Sequence, residues 1–152
     1  MVHSLYIWVL INNSIMVKQF EMVLPAMGRG YHLVTRAIEK ELKDLPERGI
    51  CHIMIRHTSA GLTLNENADP TVRDDFASFF DRLIPDDPSQ FTHVMEGADD
   101  MPAHLKSSLI GHSVTIPVVN GRLALGTWQG IYLCEFRDYA GARRLTVTVV
   151  GE

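Results

Sequence analysis

Residues 50–57 read Ile50-Cys51-His52-Ile53-Met54-Ile55-Arg56-His57, a pattern typical of a buried β-strand that ends in a histidine. Side chains alternate between the two faces of a strand, so Cys51, Ile53, Ile55 and His57 are expected to share one face. His57 then stands at the strand end, a position where site residues are often found. We therefore treat His57 as a candidate functional residue.

Strands and helices surround this segment on both sides. Further strands are predicted over residues 17–24, 61–65, 113–119, 122–125, 131–137 and 145–150. Asn120-Gly121 is the strongest hairpin signal in the chain, because both residues tolerate positive φ. Pro117 marks an edge or a bulge in its strand. The last third of the chain is therefore expected to be a β-meander.

Three helices are predicted, at 32–45, from Asp69-Pro70 to Leu83, and from Pro102 to Ile110. Asp69 serves as N-cap of the second helix, with Pro70 at its first position, and Gly111 ends the third. Apolar residues of the first helix recur at helical spacing: Val34, Ile38, Leu42 and Leu45. A second stripe is expected to be core: Val72, Phe76, Phe79, Phe80 and Leu83.

Composition narrows the class of protein. A length of 152 residues fits one domain, and the net charge of −4 argues against a nucleic-acid binder that works through bulk charge. Cys51 and Cys134 lie in apolar strand-like runs, which favours buried reduced thiols and a cytoplasmic location. The apolar run 5–11 is too short to span a membrane. We expect residues 1–15 to be an extension that contributes little, and residues 16–152 to be the domain.

Three histidines lie in contexts that suggest a site: His57, His93 and His104. Neutral imidazole is the commonest metal ligand in proteins, and three imidazoles with one open position form a known catalytic zinc arrangement. Carboxylates crowd around them, at Glu66, Asp69, Glu96, Asp99 and Asp100. The chain has 7 histidines, however, and no two of the three stand at His-x-x-x-His spacing. Spacing alone leaves open both a shared metal site and three unrelated histidines.

Three other chemistries find little support in the sequence. Gly28-Arg29-Gly30 lacks the continuation of a phosphate-binding loop. There is no Cys-x-x-Cys pair and no Gly-x-Ser-x-Gly elbow.

Longer motifs carry a resemblance to a known family. They are residues 57–70 (His57-Thr58-Ser59-Ala60-Gly61 through Asp69-Pro70), residues 96–104, Gly121-Arg122, residues 126–130, Glu135 and Arg143-Arg144. In this order, and over about residues 16–152, they closely resemble the YjbQ family, the secondary thiamine-phosphate synthase proteins.

The resemblance implies a fold and an assembly. The fold would be α+β, with largely antiparallel, sandwich-like sheets and three helices packed against them. The protein would be a homotrimer with site clefts near subunit contacts. His57, His93 and His104 would bind a divalent metal, for which zinc has a modest preference over Ni, Co or Mn.

The resemblance also implies an activity, the joining of hydroxymethylpyrimidine diphosphate to a thiazole phosphate with release of diphosphate. Lys106, Arg143, Arg144 and Arg122 would then share the phosphate charge, or else form a solvated face. Glu66 and Glu96 would orient imidazoles or act as a base. The expected substrate-binding residues are Asn65, Asn67, Trp128 and Gln129, whose alternative roles are turn hydrogen bonding and, for Trp128, core packing.

The sequence is also compatible with other functions. The chain could be a metal-binding or ligand-sensing trimer without catalysis of physiological relevance. It could also be a metal-dependent hydrolase of a small phosphorylated metabolite, because three imidazoles can hold a metal that activates water. The expected partners are a small phosphorylated heterocycle and two further copies of the chain, with neither nucleic acid nor membrane.

Overall fold

The computed structural model describes residues 15–152, in which the chain forms eight strands and three α-helices. In chain order the elements are β1 (Met16–Leu24), β2 (Gly30–Leu33), α1 (Thr35–Glu41), β3 (Arg48–Ile55), β4 (Ala60–Glu66), α2 (Thr71–Leu83), α3 (Asp100–Ile110), β5 (Ser113–Val119), β6 (Arg122–Leu123), β7 (Gln129–Glu135) and β8 (Arg143–Gly151). A single 3₁₀ turn, Pro88–Gln90, follows α2. None of the described helices is long and apolar enough to cross a membrane.

The strands form two antiparallel sheets. The larger has the order β1-β8-β3-β5-β6 and the smaller the order β2-β7-β4. Apolar side chains from both sheets and from α1 meet in one buried cluster. The expected α+β fold, with antiparallel sheets and three helices, is therefore confirmed.

The main core follows the predicted strand alternation. Cys51, Ile53 and Ile55 of β3 are at most 1% exposed, and Val147 and Val149 of the neighbouring β8 are buried with them. Each fully buried aliphatic side chain of this kind contributes roughly 1.5–3 kcal/mol. Burial also raises the pKa of the Cys51 thiol to about 11 and that of Cys134 to about 12. Both cysteines are free, as the sequence predicts.

Helices α2 and α3 cover the smaller sheet. Aromatic residues form a second cluster there, in which Tyr31 contacts Phe136 and also Phe76 and Phe80 of α2. Covered on both sides, β7 is buried from its second residue to its last. The prediction that the apolar stripe of α2 is core is wrong for Phe79 and Leu83, which are 54% and 53% exposed, because the helix packs on the sheet through Phe76 and Phe80.

The first predicted helix is too long. Residues 30–33 form β2, which pairs with β7 from Gly30↔Glu135 to Leu33↔Tyr132, and the helix begins only at Thr35. Pairing with a distant strand overrides the local helical pattern there. The predicted apolar stripe is nevertheless correct, since Val34 and Ile38 are at most 1% exposed and Leu42 and Leu45 pack against the core.

The Asn120-Gly121 hairpin is confirmed. Both residues have positive φ, at 51° and 68°, and they join β5 to β6. Pro117 fits the edge position expected for it: its carbonyl accepts a hydrogen bond from Ala124, so its nitrogen faces the end of the two-residue β6 rather than β3. The expected role of the N-terminal extension lies outside the described residues.

Candidate metal centre

Two imidazoles and one carboxylate converge at the start of α3. Nε2 of His93 lies 2.9 Å from Oδ2 of Asp100, and Nε2 of His104 lies 3.2 Å from the same oxygen. One ligand atom from each residue lies within 4.8 Å of the other two. Among the described residues this is the one group of three metal-ligating side chains that close together.

The local structure explains this convergence. Asp100 and His104 are four residues apart on α3, so they lie one above the other on the same face of the helix. The loop between the 3₁₀ turn and α3 brings His93 to the same point, with its ring centroid 5.6 Å from that of His104. Asp100 is 1% exposed, whereas His93 and His104 face outward enough to be reached from solvent.

Arg137 holds the acidic side of the cluster. Its guanidinium pairs with the second carboxylate oxygen of Asp100 and donates from Nε to Asp99 at 3.0 Å. It also donates to the carbonyl oxygen of Glu96 at 2.8 Å, which fixes the loop carrying His93. Burial alone would raise the pKa of Asp99, but hydrogen bonds from the Asp138 backbone and the charge of Arg137 lower it overall. Asp99 is therefore a charged partner that fixes Arg137.

The hydrogen bonds of His104 leave one nitrogen suited to a metal. Its Nδ1 donates to the carbonyl oxygen of Thr58 at 3.0 Å, so Nε2 carries the lone pair that points at the cluster. Such an N–H to carbonyl bond is the usual way in which a metal-ligating histidine is oriented. Two imidazoles and one carboxylate suit zinc and other first-row divalent ions, and leave further coordination positions open. The residues present thus fit the metal that the family resemblance implies.

The structure departs from the expectation at His57. Its Nε2 accepts a hydrogen bond from the backbone N–H of Arg144 at 2.8 Å. The ring must then carry its proton on Nδ1, so neither nitrogen has a free lone pair for a metal. Burial and the nearby charge of Arg143 lower the pKa of His57, which keeps the ring neutral. His57 thus lies outside the cluster, and Asp100 occupies the third position.

The four basic residues assigned to phosphate binding are not gathered at this cluster. Arg143 is 7% exposed and makes a two-pronged pair with the buried Glu135, at 2.6 Å for each bond. Lys106 is 1% exposed and pairs with Asp81 of α2 at 2.6 Å. Arg122 is exposed in the β5–β6 hairpin and Arg144 is exposed at the start of β8. Arg143 and Lys106 therefore pair with carboxylates of the protein itself and are not free to bind a phosphate.

The expected substrate-binding residues lie at the far end of the smaller sheet. In the β4–β7 pair, Ala60 faces Glu135 near His57, and Glu66 faces Gln129 at the other end. Six residues of strand separate the two ends, which is roughly 20 Å.

At that far end most of the expected residues make turn hydrogen bonds. Asn67 donates to the Gln129 carbonyl at 2.9 Å, and Asn65 accepts from the Glu66 amide at 2.7 Å. Gln129 accepts from the Gly126 amide at 2.8 Å. Trp128 is 64% exposed, so the alternative of core packing is excluded for it. Neither Glu66 nor Glu96 brings its carboxylate into the His–Asp–His cluster.

Sequence reasoning did not assign two residues of the site. Asp100 stood among the neighbouring carboxylates but was given no ligand role, although its i,i+4 spacing to His104 on a helix is a usable signal. Arg137 carried no signal at all, because only the pairing of β7 in the smaller sheet brings its chain segment to the start of α3.

The chain is therefore an α+β protein with two packed antiparallel sheets and a candidate metal site at the start of α3. The family model described as UPF0047 protein YjbQ-like matches residues 20–152, and the chain belongs to this family.

Relatives and solved structures agree with this assignment. The UPF0047 protein YjbQ of Escherichia coli O157:H7 is 51% identical over 136 residues, which is 88% of this chain and 98% of that protein. A UPF0047 protein of Methanocaldococcus jannaschii is 44% identical over 121 residues, covering 80% of this chain and 81% of its own length. The crystal structure of a YbjQ-like protein of unknown function from Sulfolobus solfataricus superposes with a TM-score of 0.81 at 25% identity, covering 91% of this chain and all of that one. A conserved hypothetical protein from Thermus thermophilus gives 0.75 at 35% identity, covering 84% and 97%.

Proposed function

We propose that this protein is a metal-dependent transferase with thiamine-phosphate synthase activity, and that His93, Asp100 and His104 hold its divalent metal. The observation that carries the proposal is the convergence of two imidazole nitrogens and one buried carboxylate oxygen within 4.8 Å. Zinc is the favoured ion, because two imidazoles with a carboxylate are an established catalytic zinc set.

The residues of the chain have distinct parts in this proposal. Asp100 and His104 are held by α3, Arg137 pairs with Asp100 and orients it, and Thr58 orients the His104 ring. A divalent metal, when bound there, supplies a Lewis acid for the oxygens of a departing diphosphate. Release of diphosphate from the pyrimidine methylene builds negative charge on those oxygens and positive charge on the carbon. The exposed sides of His93 and His104 face the direction from which such a substrate would approach.

Assembly into a homotrimer would complete the site. Within one subunit the cluster and the region of Asn65, Asn67 and Trp128 are far apart along the β4–β7 pair. A site at a subunit contact would allow Trp128 of a neighbouring copy, which is largely exposed, to meet the cluster. The two buried reduced thiols support a cytoplasmic protein.

A hydrolase of a small phosphorylated metabolite is the second candidate. The presence of Asp100 as the third candidate ligand, where His57 was expected, favours the hydrolase specifically. Two histidines with one carboxylate and an open position also form the metal site of zinc hydrolases. A metal-binding or ligand-sensing trimer without catalysis is the non-enzymatic alternative.

One experiment separates these functions. Purified protein, with its metal content measured, is incubated with hydroxymethylpyrimidine diphosphate in the presence and absence of the thiazole phosphate. Coupled product that is lost in His104→Ala, and kept in His112→Ala, supports the transferase. Release of phosphate or diphosphate without coupling supports the hydrolase, and no turnover by a metal-loaded wild type contradicts the transferase.

A further inference from the structure

The loop between β3 and β4, residues 57–59, presents a set of hydrogen-bond donors without acceptors. No described residue accepts a hydrogen bond from the backbone N–H of His57, Thr58 or Ser59. The ordinary fate of such groups in a folded protein is pairing with backbone, side chain, water or ligand. The hydroxyl of Ser59 receives a bond from Arg143 at 3.3 Å, which leaves its own proton free to donate.

His57 adds a side-chain donor to the same loop. Because its Nε2 accepts the backbone N–H of Arg144, its proton must be on Nδ1, and no described group accepts from Nδ1. The strand β8 thereby fixes both the ring position and the tautomer. His57 is half-buried, so its Nδ1–H can be reached by a ligand.

The electrostatic surroundings of the loop favour an anion. Arg143 and Arg56 lie near His57, each paired with a carboxylate, Glu135 and Glu21 respectively. Arg144 also lies near His57 and forms no ion pair with any acid in residues 15–152. The local balance is thus one positive charge beside several N–H donors, which is a favourable setting for an oxyanion.

The loop is joined directly to the His–Asp–His cluster. The carbonyl oxygen of Thr58 accepts from Nδ1 of His104 at 3.0 Å and from the hydroxyl of Ser107 at 2.5 Å. The loop that would hold a ligand group therefore also orients a residue that would hold the metal.

We infer that residues 57–59 form an oxyanion subsite, in which the Nδ1–H of His57 and the free backbone N–H groups bind a phosphate or carboxylate group of the substrate. This inference rests on the proposed function, and it makes His57 a substrate-binding residue instead of a metal ligand.

The test uses the purified full-length protein with its metal content measured, and inorganic phosphate and acetate as probes. His57→Phe removes the donor at similar ring size. His57→Asn keeps an amide N–H near the position of Nδ1. His52→Phe is the matched control, because His52 lies on the same strand, bonds Thr115 at 2.8 Å and belongs to the opposite face. Circular dichroism and thermal melting confirm that each variant is folded.

Binding is measured by calorimetry. In His57→Phe we expect the affinity for the bound anion to fall at least about tenfold, as for loss of a hydrogen bond to a charged group. His57→Asn should stay within about threefold of the wild type, and His52→Phe should be unchanged. Tighter binding of phosphate than of acetate would identify the substrate group as a phosphate, and the reverse order would identify a carboxylate.

Three results would overturn the inference: equal anion affinity in wild type and His57→Phe, absence of anion binding by the wild type, or loss of metal from a folded His57→Phe protein. The last result would make His57 a ligand and leave the proposed metal function standing. A wild type that binds no metal, yet discriminates between His57→Phe and His57→Asn in anion binding, would instead refute the proposed function and retain the subsite.

Discussion

Asp100 is the residue around which the candidate site is organised. Its carboxylate is almost fully buried, yet it contacts His93, His104 and Arg137. A buried carboxylate is stable only where charges and hydrogen bonds compensate its lost hydration. Arg137 supplies that compensation on one side, which leaves the other oxygen directed at the two imidazoles.

Arg143 and Arg144 are neighbours in the chain with opposite environments, and this gives a prediction. Arg143→Met should lower the free energy of unfolding by about 3–5 kcal/mol, because it leaves the buried Glu135 charge without its partner. Arg144→Met, at an exposed position, should change it by no more than about 0.5 kcal/mol. Urea denaturation of both variants measures the difference. Equal stabilities would contradict a structural role of the Arg143–Glu135 pair.

Single residues of the site could be predicted only in part. His93 and His104 stand out by residue type and by their carboxylate neighbours, and the structure brings them together. The orientation of His57 depends on a backbone N–H of β8, 87 positions away, which no local pattern encodes. The sequence predicts a phosphate-binding role for Lys106. Its burial and its ion pair with Asp81 depend on the packing of α3 near α2, which the sequence around Lys106 does not indicate.

At the level of elements, an ion-pair network fixes α2 to its surroundings. Asp81 of α2 accepts from Lys106 of α3 at 2.6 Å and from Arg29, in the β1–β2 loop, at 2.7 Å. Burial alone would raise the pKa of Asp81, but the hydrogen bonds and charges of Lys106 and Arg29 lower it overall. Phe79 and Leu83 are exposed on the same helix, so its attachment relies on this network together with Phe76 and Phe80.

The network predicts a pH-dependent stability. Because the pKa of Asp81 is lower in the folded protein than in the unfolded chain, its contribution is present at neutral pH and is lost as the pH falls through the folded pKa. Asp81→Asn should therefore lower the melting temperature at pH 7, and the gap to the wild type should narrow towards pH 3. Asp75→Asn is a suitable control, since Asp75 is exposed on the same helix and forms no ion pair with any residue of the described range 15–152. A gap that stays constant with pH would contradict the role of the Asp81 charge.

The elements themselves were largely predictable. Strict alternation in β3 and the turn at Asn120-Gly121 are local signals that the structure follows. Asp69 accepts the Thr71 amide as a capping residue would, but α2 begins at Thr71 with Pro70 in the cap position, one residue later than predicted. Residues 32 and 33 fall within the predicted helix but belong to β2, because their pairing with β7 connects segments about a hundred positions apart. The same limit applies to α2, where the pattern identifies apolar residues but not which of them the sheet covers.

For the whole molecule, the exposed outer face of the five-stranded sheet agrees with a proposed trimer. Val17, Ile50, Met54 and Val119 are between 46% and 68% exposed on three of its strands. Apolar residues at this density are typical of surfaces that meet a partner. We propose that this face takes part in the assembly in addition to the contact that would bring Trp128 of a neighbouring copy to the cluster.

The assembly is tested by light scattering. The wild type should have about three times the chain mass of 17.1 kDa. Ile50→Lys, in the middle of the face, should shift the mass towards that of one chain, whereas Lys40→Glu on α1 should not. A monomeric wild type at micromolar concentration would contradict the trimer, and a trimeric Ile50→Lys protein would contradict the choice of face.

The N-terminal extension gives another prediction for the whole molecule. The family match begins at residue 20, and the motifs that carry the resemblance begin later still. Deletion of residues 1–15 should leave the melting temperature and the mass of the assembly unchanged. A clear fall in either would show that the apolar run 5–11 covers the edge strand β1 or a neighbouring copy.

The central claim is that His93, Asp100 and His104 bind one divalent metal ion, and cobalt substitution tests it most directly. Co²⁺ titrated into metal-free wild type should give visible d–d absorption that saturates at one ion per chain and is displaced by Zn²⁺. His104→Ala and Asp100→Asn should lose this signal, while His112→Ala, in the turn after α3, should keep it. Saturating absorption that survives both His104→Ala and Asp100→Asn, or none in the wild type, would contradict the account.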